Sequence, residues 1–161
     1  INTEVGKIGV RICYEGNFPS MFKKQTEQGA RTLVLLSSDA MFGENSSIPY
    51  IDFNTNIVRA VENGRYLIRN DNYGMSGIIS PYGKVIKKTR LAEETVLVGN
   101  YKTIVQKTFY TKYGNWFVYF SLNILGLCFL ISAIKSYRLL NAQIGVLERC
   151  GIKDEYLPFV C

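Results

Sequence analysis

Cys13 closes a short β-rich run, Gly6-Lys7-Ile8-Gly9-Val10-Arg11-Ile12, and Tyr14, Glu15 and Gly16 follow it at once. A strand that stops at a turn presents its last side chain at the sheet edge, where a substrate reaches it. A thiol there is a nucleophile when something nearby keeps it as thiolate. A sharp strand exit also frees the backbone N–H of Tyr14 to donate to an oxyanion developing beside the sulfur. The competing reading is structural, since cysteine is among the most buried residue types and commonly acts as a small hydrophobe. Glu15 is too close along the chain to be read automatically as the base for Cys13. Adjacent side chains at a strand end point apart, so Glu15 is expected to orient a neighbour or a substrate amine, or to pair with an arginine.

Two further clusters have the right composition for a site. Ser37-Ser38-Asp39-Ala40-Met41-Phe42-Gly43 places small polar residues after an apolar strand, then an aromatic and a glycine. Asp39, Met41 and Phe42 are candidates for a substrate rim; the alternative is a polar loop with Asp39 capping a turn. Arg65, Arg69, Asn70, Asp71 and Asn72 form the other cluster, whose plain reading is hydrogen bonding that fixes a hairpin. The chain has no histidine, which excludes a Cys-His dyad and a histidine-based metal site. No metal site and no cofactor are expected. The four cysteines do not read as a disulfide framework, because Cys13, Cys128 and the pair Cys150 and Cys161 fall in different segments.

The elements that position these residues alternate. Ile8–Cys13 reads as a buried strand, and Phe18 to Gly29 as a helix with Phe18, Met21, Phe22 and Thr26 at helix spacing. Thr32–Leu36 is a strand apolar on both faces, as expected where helices cover the sheet. A polar loop over 37–49 leads to a second helix, Ile51 to Asn63, with Ile57, Val58 and Val61 on its apolar side. Then come four β-like runs, Tyr66–Arg69, Met75–Ser80, Lys84–Lys88 and Thr95–Asn100, with turns at Asn72-Tyr73-Gly74 and Pro81-Tyr82-Gly83. The order indicates a layered α/β or α+β domain in which the first strand has no earlier partner.

From Trp116 to Ile134 no residue is charged. At about 1.5 Å per residue this run spans roughly 28 Å, enough for a bilayer core. Tyr113, Trp116, Phe117 and Tyr119 cluster at one end, and Lys135 and Arg138 close the other. The positive-inside rule then puts the tail in the cytoplasm and the preceding domain on the far side. The expected organisation is a domain over 1–112, a transmembrane helix over 113–135 and a cytoplasmic tail over 136–161. The net charge of +6 comes from Lys84, Lys87, Lys88 and Arg90 and from Lys102, Lys107 and Lys112. A basic face near anionic headgroups explains these residues, and no nucleic-acid motif accompanies them.

Taken in order, three segments resemble the nitrilase superfamily of carbon-nitrogen hydrolases: Gly9-Val10-Arg11-Ile12-Cys13-Tyr14-Glu15, Ser38-Asp39-Ala40-Met41-Phe42-Gly43 and Arg59-Ala60-Val61-Glu62-Asn63-Gly64-Arg65. Asn72-Tyr73-Gly74-Met75-Ser76 and Pro81-Tyr82-Gly83 continue the likeness. The segment Thr108-Phe109-Tyr110-Thr111-Lys112-Tyr113-Gly114-Asn115-Trp116, running straight into the apolar span, resembles the end of the superfamily's membrane branch, the apolipoprotein N-acyltransferases.

That resemblance implies the C-terminal part of an αββα sandwich followed by one transmembrane helix. The intact protein would be multi-pass in a bacterial inner membrane, with its catalytic domain in the periplasm. It implies a Glu-Lys-Cys triad whose cysteine, matched by Cys13, takes an acyl chain from a phospholipid as a thioester. The chain then passes to the amine of the diacylglyceryl-cysteine that begins an apolipoprotein. Tyr14 and Glu15 match the supporting pair. The triad's glutamate and lysine belong upstream of Cys13, so the segment alone is expected to be inactive. Met41 stands where a tryptophan is usual, and Asp52 lies near a usual histidine. Two other readings remain: a membrane-tethered amidase that hydrolyses small amides through the same cysteine, and a catalytically dead membrane-anchored binding module.

Overall fold

Register between neighbouring strands decides which residues share an edge, and here the first three long strands run parallel. The computed structural model describes residues 1–43 and 45–149. Its sheet has six strands in sequence order: β1 (Asn2–Thr3), β2 (Gly6–Ile12), β3 (Thr32–Ser37), β4 (Leu67–Asp71), β5 (Gly77–Ile79) and β6 (Val85–Lys88). The pairs β2–β3 and β3–β4 are parallel. The pairs β1–β2, β4–β5 and β5–β6 are antiparallel.

Helix α1 (Pro19–Glu27) joins β2 to β3, and α2 (Ile48–Asn63) joins β3 to β4. Such crossovers are what parallel pairing demands. Both helices begin with proline in the first turn, where its missing N–H costs nothing. Gly64 ends α2 at φ +60°, a left-handed cap that suits glycine. Phe22 of α1, Phe53 and Ala60 of α2, and Leu33, Leu35, Leu67 and Ile79 of the sheet form one buried core. Both helices therefore pack on the same face. The other row of β2 and β3 ends in Ile12 and Leu36, both exposed.

Several expectations need correction. The first strand does have an earlier partner, since Asn2 and Thr3 pair with Lys7 and Gly6. Thr95–Asn100 is not a strand: Val96 is 87% exposed, and β-branched residues make a strand only where a ladder partner is available. Helix α2 starts at Ile48, three residues early, because Pro49 is its first turn rather than the end of a loop. Its inner face is not Val58 and Val61, which are exposed, but Phe53, Asn56, Arg59, Ala60 and Asn63. Asn56 and Asn63 donate to carbonyls one turn earlier and Arg59 pairs with Glu62, so these polar groups tolerate burial.

The chain divides into two units, Ile1–Gly114 and a second beginning at Asn115. In the first, buried Arg65 holds the last stretch of chain in place. It donates to the carbonyls of Ala30, Asn63, Gly64, Val105 and Gln106. Helix α3 (Phe109–Tyr113) follows, capped by Thr108, whose side chain accepts from the Thr111 N–H. The second unit contains α4 (Trp116–Arg149). Trp116–Val146 of α4 is long and apolar enough to cross a membrane, with a mean hydropathy of 2.2 in its most apolar window. The expected tail is helical through Arg149, and Cys150 and Cys161 lie outside the described residues.

Candidate active site

Cys13 is the first residue after β2 and opens a 3₁₀ turn, Cys13–Asn17. Its φ is +52°, a left-handed conformation that few non-glycine residues adopt and that costs on the order of 1–3 kcal/mol. Its side chain is exposed. Four contacts hold the turn. The Ile12 N–H donates to Glu15 Oε2 at 3.0 Å, and Arg11 Nη1 lies 3.8 Å from Glu15 Oε1. Gly16 is buried so tightly that a Cβ there would come 2.8 Å from Leu35 Cδ2. Asn17 Nδ2 donates to Asp52 Oδ1 of α2 at 3.2 Å. Tyr14, 68% exposed, stands edge-on to Phe18 with ring centroids 5.5 Å apart.

The parallel register carries the edge onward from Cys13. Ile12 pairs with Leu36 and Ser37 pairs with Asp71, so Cys13, Ser37 and Asp71 stand in one row across the strand ends. Behind the row lies a buried ionic cluster. Arg69 Nη2 is 2.6 Å from Asp39 Oδ2 and 2.6 Å from Asp71 Oδ2, and Arg69 Nη1 donates to Asn56 Oδ1 at 3.3 Å. Asp71 Oδ1 also accepts the backbone N–H groups of Asp39, Tyr73 and Gly74. Burial pushes the Asp39 carboxyl up, against the pull of Arg69 and with the repulsion of Asp71 and Asp52. Burial pushes Asp71 up too, but its three backbone donors and Arg69 outweigh it and hold that carboxyl below the usual range.

The residues singled out from sequence thus take distinct places. Cys13 and Tyr14 are exposed at the strand end, and Glu15 closes back on the backbone beneath them rather than reaching outward. In the loop after β3, Met41 is 81% exposed and Phe42 partly covered, in a 3₁₀ turn over Ala40–Phe42. Asp39 is turned inward to Arg69, so the loop presents Met41 while its carboxylate serves as an anchor. Asp52 belongs to the turn's support through Asn17. Among the described residues, no three cysteine or carboxylate side chains come together as a metal site. Sequence reasoning put Asp39 in one cluster and Arg69 with Asp71 in another. Only the pairing of Ser37 with Asp71 joins them.

A family model for carbon-nitrogen hydrolases matches residues 1–105. The chain belongs to the carbon-nitrogen hydrolase family. Among curated carbon-nitrogen hydrolase relatives, the apolipoprotein N-acyltransferase of Geobacter metallireducens is 37% identical over 74% of this chain and 23% of its own length. That of Rickettsia bellii is 36% identical over 85% of this chain and 27% of its own. The chain therefore spans about a quarter of the length of these relatives. Among solved structures, a nitrilase-superfamily member from Saccharomyces cerevisiae aligns with TM-score 0.51 at 27% identity, covering 58% of this chain and 37% of that one. A carbon-nitrogen hydrolase from Helicobacter pylori aligns with TM-score 0.53 at 22% identity, covering 58% and 40%.

Proposed function

We propose that this chain is the C-terminal part of a membrane N-acyltransferase that matures lipoproteins, with Cys13 as its nucleophile. The observation that carries the reading is the exposed thiol held at φ +52° on a parallel sheet edge, which is the presentation acyl transfer needs. The names of the curated relatives and the apolar helix α4 support the lipid side of the proposal. The Cys13 thiolate attacks the ester carbonyl of a phospholipid. The C–O bond breaks, and the lysophospholipid leaves as an alkoxide that takes up a proton. The amine of a diacylglyceryl-cysteine apolipoprotein then attacks the thioester, the C–S bond breaks, and the amine's proton returns to the base. Thioester formation divides one difficult amide synthesis into two easier steps.

In this reading, the base and the lysine of the triad precede Cys13 in the intact protein. Tyr14 supplies an apolar flank, and Glu15 fixes the turn. The rim formed by Met41 and Phe42 faces the acyl chain. The intact enzyme sits in the bacterial inner membrane with residues 1–112 in the periplasm and the tail in the cytoplasm. The test uses the full-length protein in phospholipid vesicles. Wild type acquires a hydroxylamine-labile acyl mass on the peptide containing Cys13, and Cys13→Ala acquires none. An acyl mass that persists in Cys13→Ala overturns the assignment. Rapid release of free acid from small amides, with no transfer to a lipopeptide amine, indicates an amidase instead.

A further inference from the structure

The cluster of Asp39, Arg69 and Asp71 has no part in the chemistry just described, yet it is the most deeply buried charge in the first unit that adjoins the Cys13 edge. Their side chains are 2%, 1% and 0% exposed. Removing charges from water costs several kcal/mol per ion, and well-packed apolar residues stabilise as well or better. Stability alone is therefore a weak reason for one guanidinium and two carboxylates to meet here. Their connections are more informative. Arg69 and Asp71 project from β4 onto the helix-covered face, whereas Asp39 comes from the loop after β3. The loop is drawn to β4 from two directions: its N–H at Asp39 donates to Asp71 Oδ1 at 3.1 Å, and its carboxylate returns to Arg69. The Asn72 N–H donates to the Ser37 carbonyl at 3.1 Å. The backbone leaves room for this arrangement at Gly74, where a Cβ would fall 2.8 Å from Asp71 Cγ. Ser37, where the loop leaves the sheet, is next to Cys13 in the edge row.

We propose that Arg69 is a positioning residue of the Cys13 site: by bridging Asp39 to Asp71 it fixes the loop that carries Met41 relative to the thiol. The proposal rests on the reading of Cys13 as the acyl-accepting nucleophile. Arg69 does not touch substrate; it acts through Asp39. A loop free to drift by about an ångström misplaces the acyl donor, and misplacements of that size cost on the order of a hundredfold in rate.

The experiment follows acyl-thioester formation on Cys13 in the full-length protein with phosphatidylethanolamine vesicles, scored per folded molecule, beside the thermal midpoint. Acylation of wild type is the control: if wild type forms no thioester, the acyltransferase reading fails, whatever the loop does. With wild type active, Asp39→Ala leaves Arg69 and Asp71 as a balanced pair. This variant is expected to melt near wild type but to acylate about 10- to 100-fold more slowly, with the loss in kcat rather than in donor KM. Asp39→Asn, which keeps the shape and an acceptor oxygen, recovers part of the rate. Folded Asp39→Ala with wild-type acylation overturns the proposal. If Asp39→Ala does not fold, Asp39→Glu decides. It keeps the charge and lengthens the anchor by one methylene, so slowed acylation with a normal midpoint supports positioning and an unchanged rate overturns it.

Discussion

Glu15 reaches back past Cys13 to accept the backbone N–H of Ile12 at 3.0 Å. The nucleophile thus sits inside a closed loop of four residues, Ile12 to Glu15, whose clasp is a carboxylate. The clasp offsets the cost of a left-handed backbone at a residue with a Cβ. Glu15→Ala is expected to release the turn and slow acylation of Cys13 by roughly tenfold or more. Glu15→Gln, which keeps an acceptor oxygen, should retain most of the rate. The measurement is the rate at which the acyl mass appears on Cys13. Equal rates for Glu15→Ala and wild type would contradict the role given to the clasp.

Gly16 bears directly on Leu35. A methyl group at Gly16 would meet the Leu35 side chain at 2.8 Å, and overpacking of this kind costs about 1–3 kcal/mol. Gly16→Ala should lower the thermal midpoint, and Gly16→Ala combined with Leu35→Val should recover part of the loss. A pair of strictly additive losses would show that the two positions do not share that space.

Acid should cost the fold stability through Asp71 rather than through Asp39. Its folded value is depressed, because its three backbone donors and Arg69 outweigh burial. Such a group contributes stability that is fully present above its unfolded value, about 3.9, and is lost as pH falls through the folded value. Asp39 has the opposite sign: burial raises it, so protonating it relieves the fold. Asp71→Asn is therefore expected to flatten the fall in thermal midpoint below about pH 4, while Asp39→Asn leaves that fall in place. Midpoints measured from neutral pH down to about pH 3 distinguish the two.

Sequence patterns located β2, both helices, β3, the β5–β6 hairpin and the strand-end cysteine, because each has a local signal: a run of apolar residues, a proline, a glycine or a turn pair. What they could not reveal is non-local. The meeting of Asp39 with Arg69 depends on β3 and β4 pairing in parallel with Ser37 opposite Asp71, and nothing within a short window encodes that register. The buried face of α2 was misread because Asn56, Arg59 and Asn63 count as polar in any hydrophobic pattern. Each makes a hydrogen bond to a neighbour about one turn away. Thr95–Asn100 has strand composition, but among the described residues no strand pairs with it.

The proposed topology is testable at two positions flanking the apolar run of α4. Lys112→Cys and Tyr137→Cys are introduced into full-length protein whose native cysteines are replaced by serine. A membrane-impermeant maleimide applied to intact cells with a permeable outer membrane should label position 112. Position 137 should react only after the inner membrane is opened. The reverse pattern would invert the orientation.

The two deeply buried arginines sit at opposite ends of the parallel strands, and they answer to different conditions. Arg69 is balanced by carboxylates, so protons loosen its grip, while salt screens pairs this deeply buried only weakly. Arg65 donates to the carbonyls of Ala30, Asn63, Gly64, Val105 and Gln106, none of which titrates. The domain should therefore come apart in a fixed sequence as it is acidified. The nucleophile's edge opens while the end that holds residues 105 and 106 stays shut. Amide exchange would record this as early loss of protection at residues 37–42 and late loss at Arg65 and Ala30.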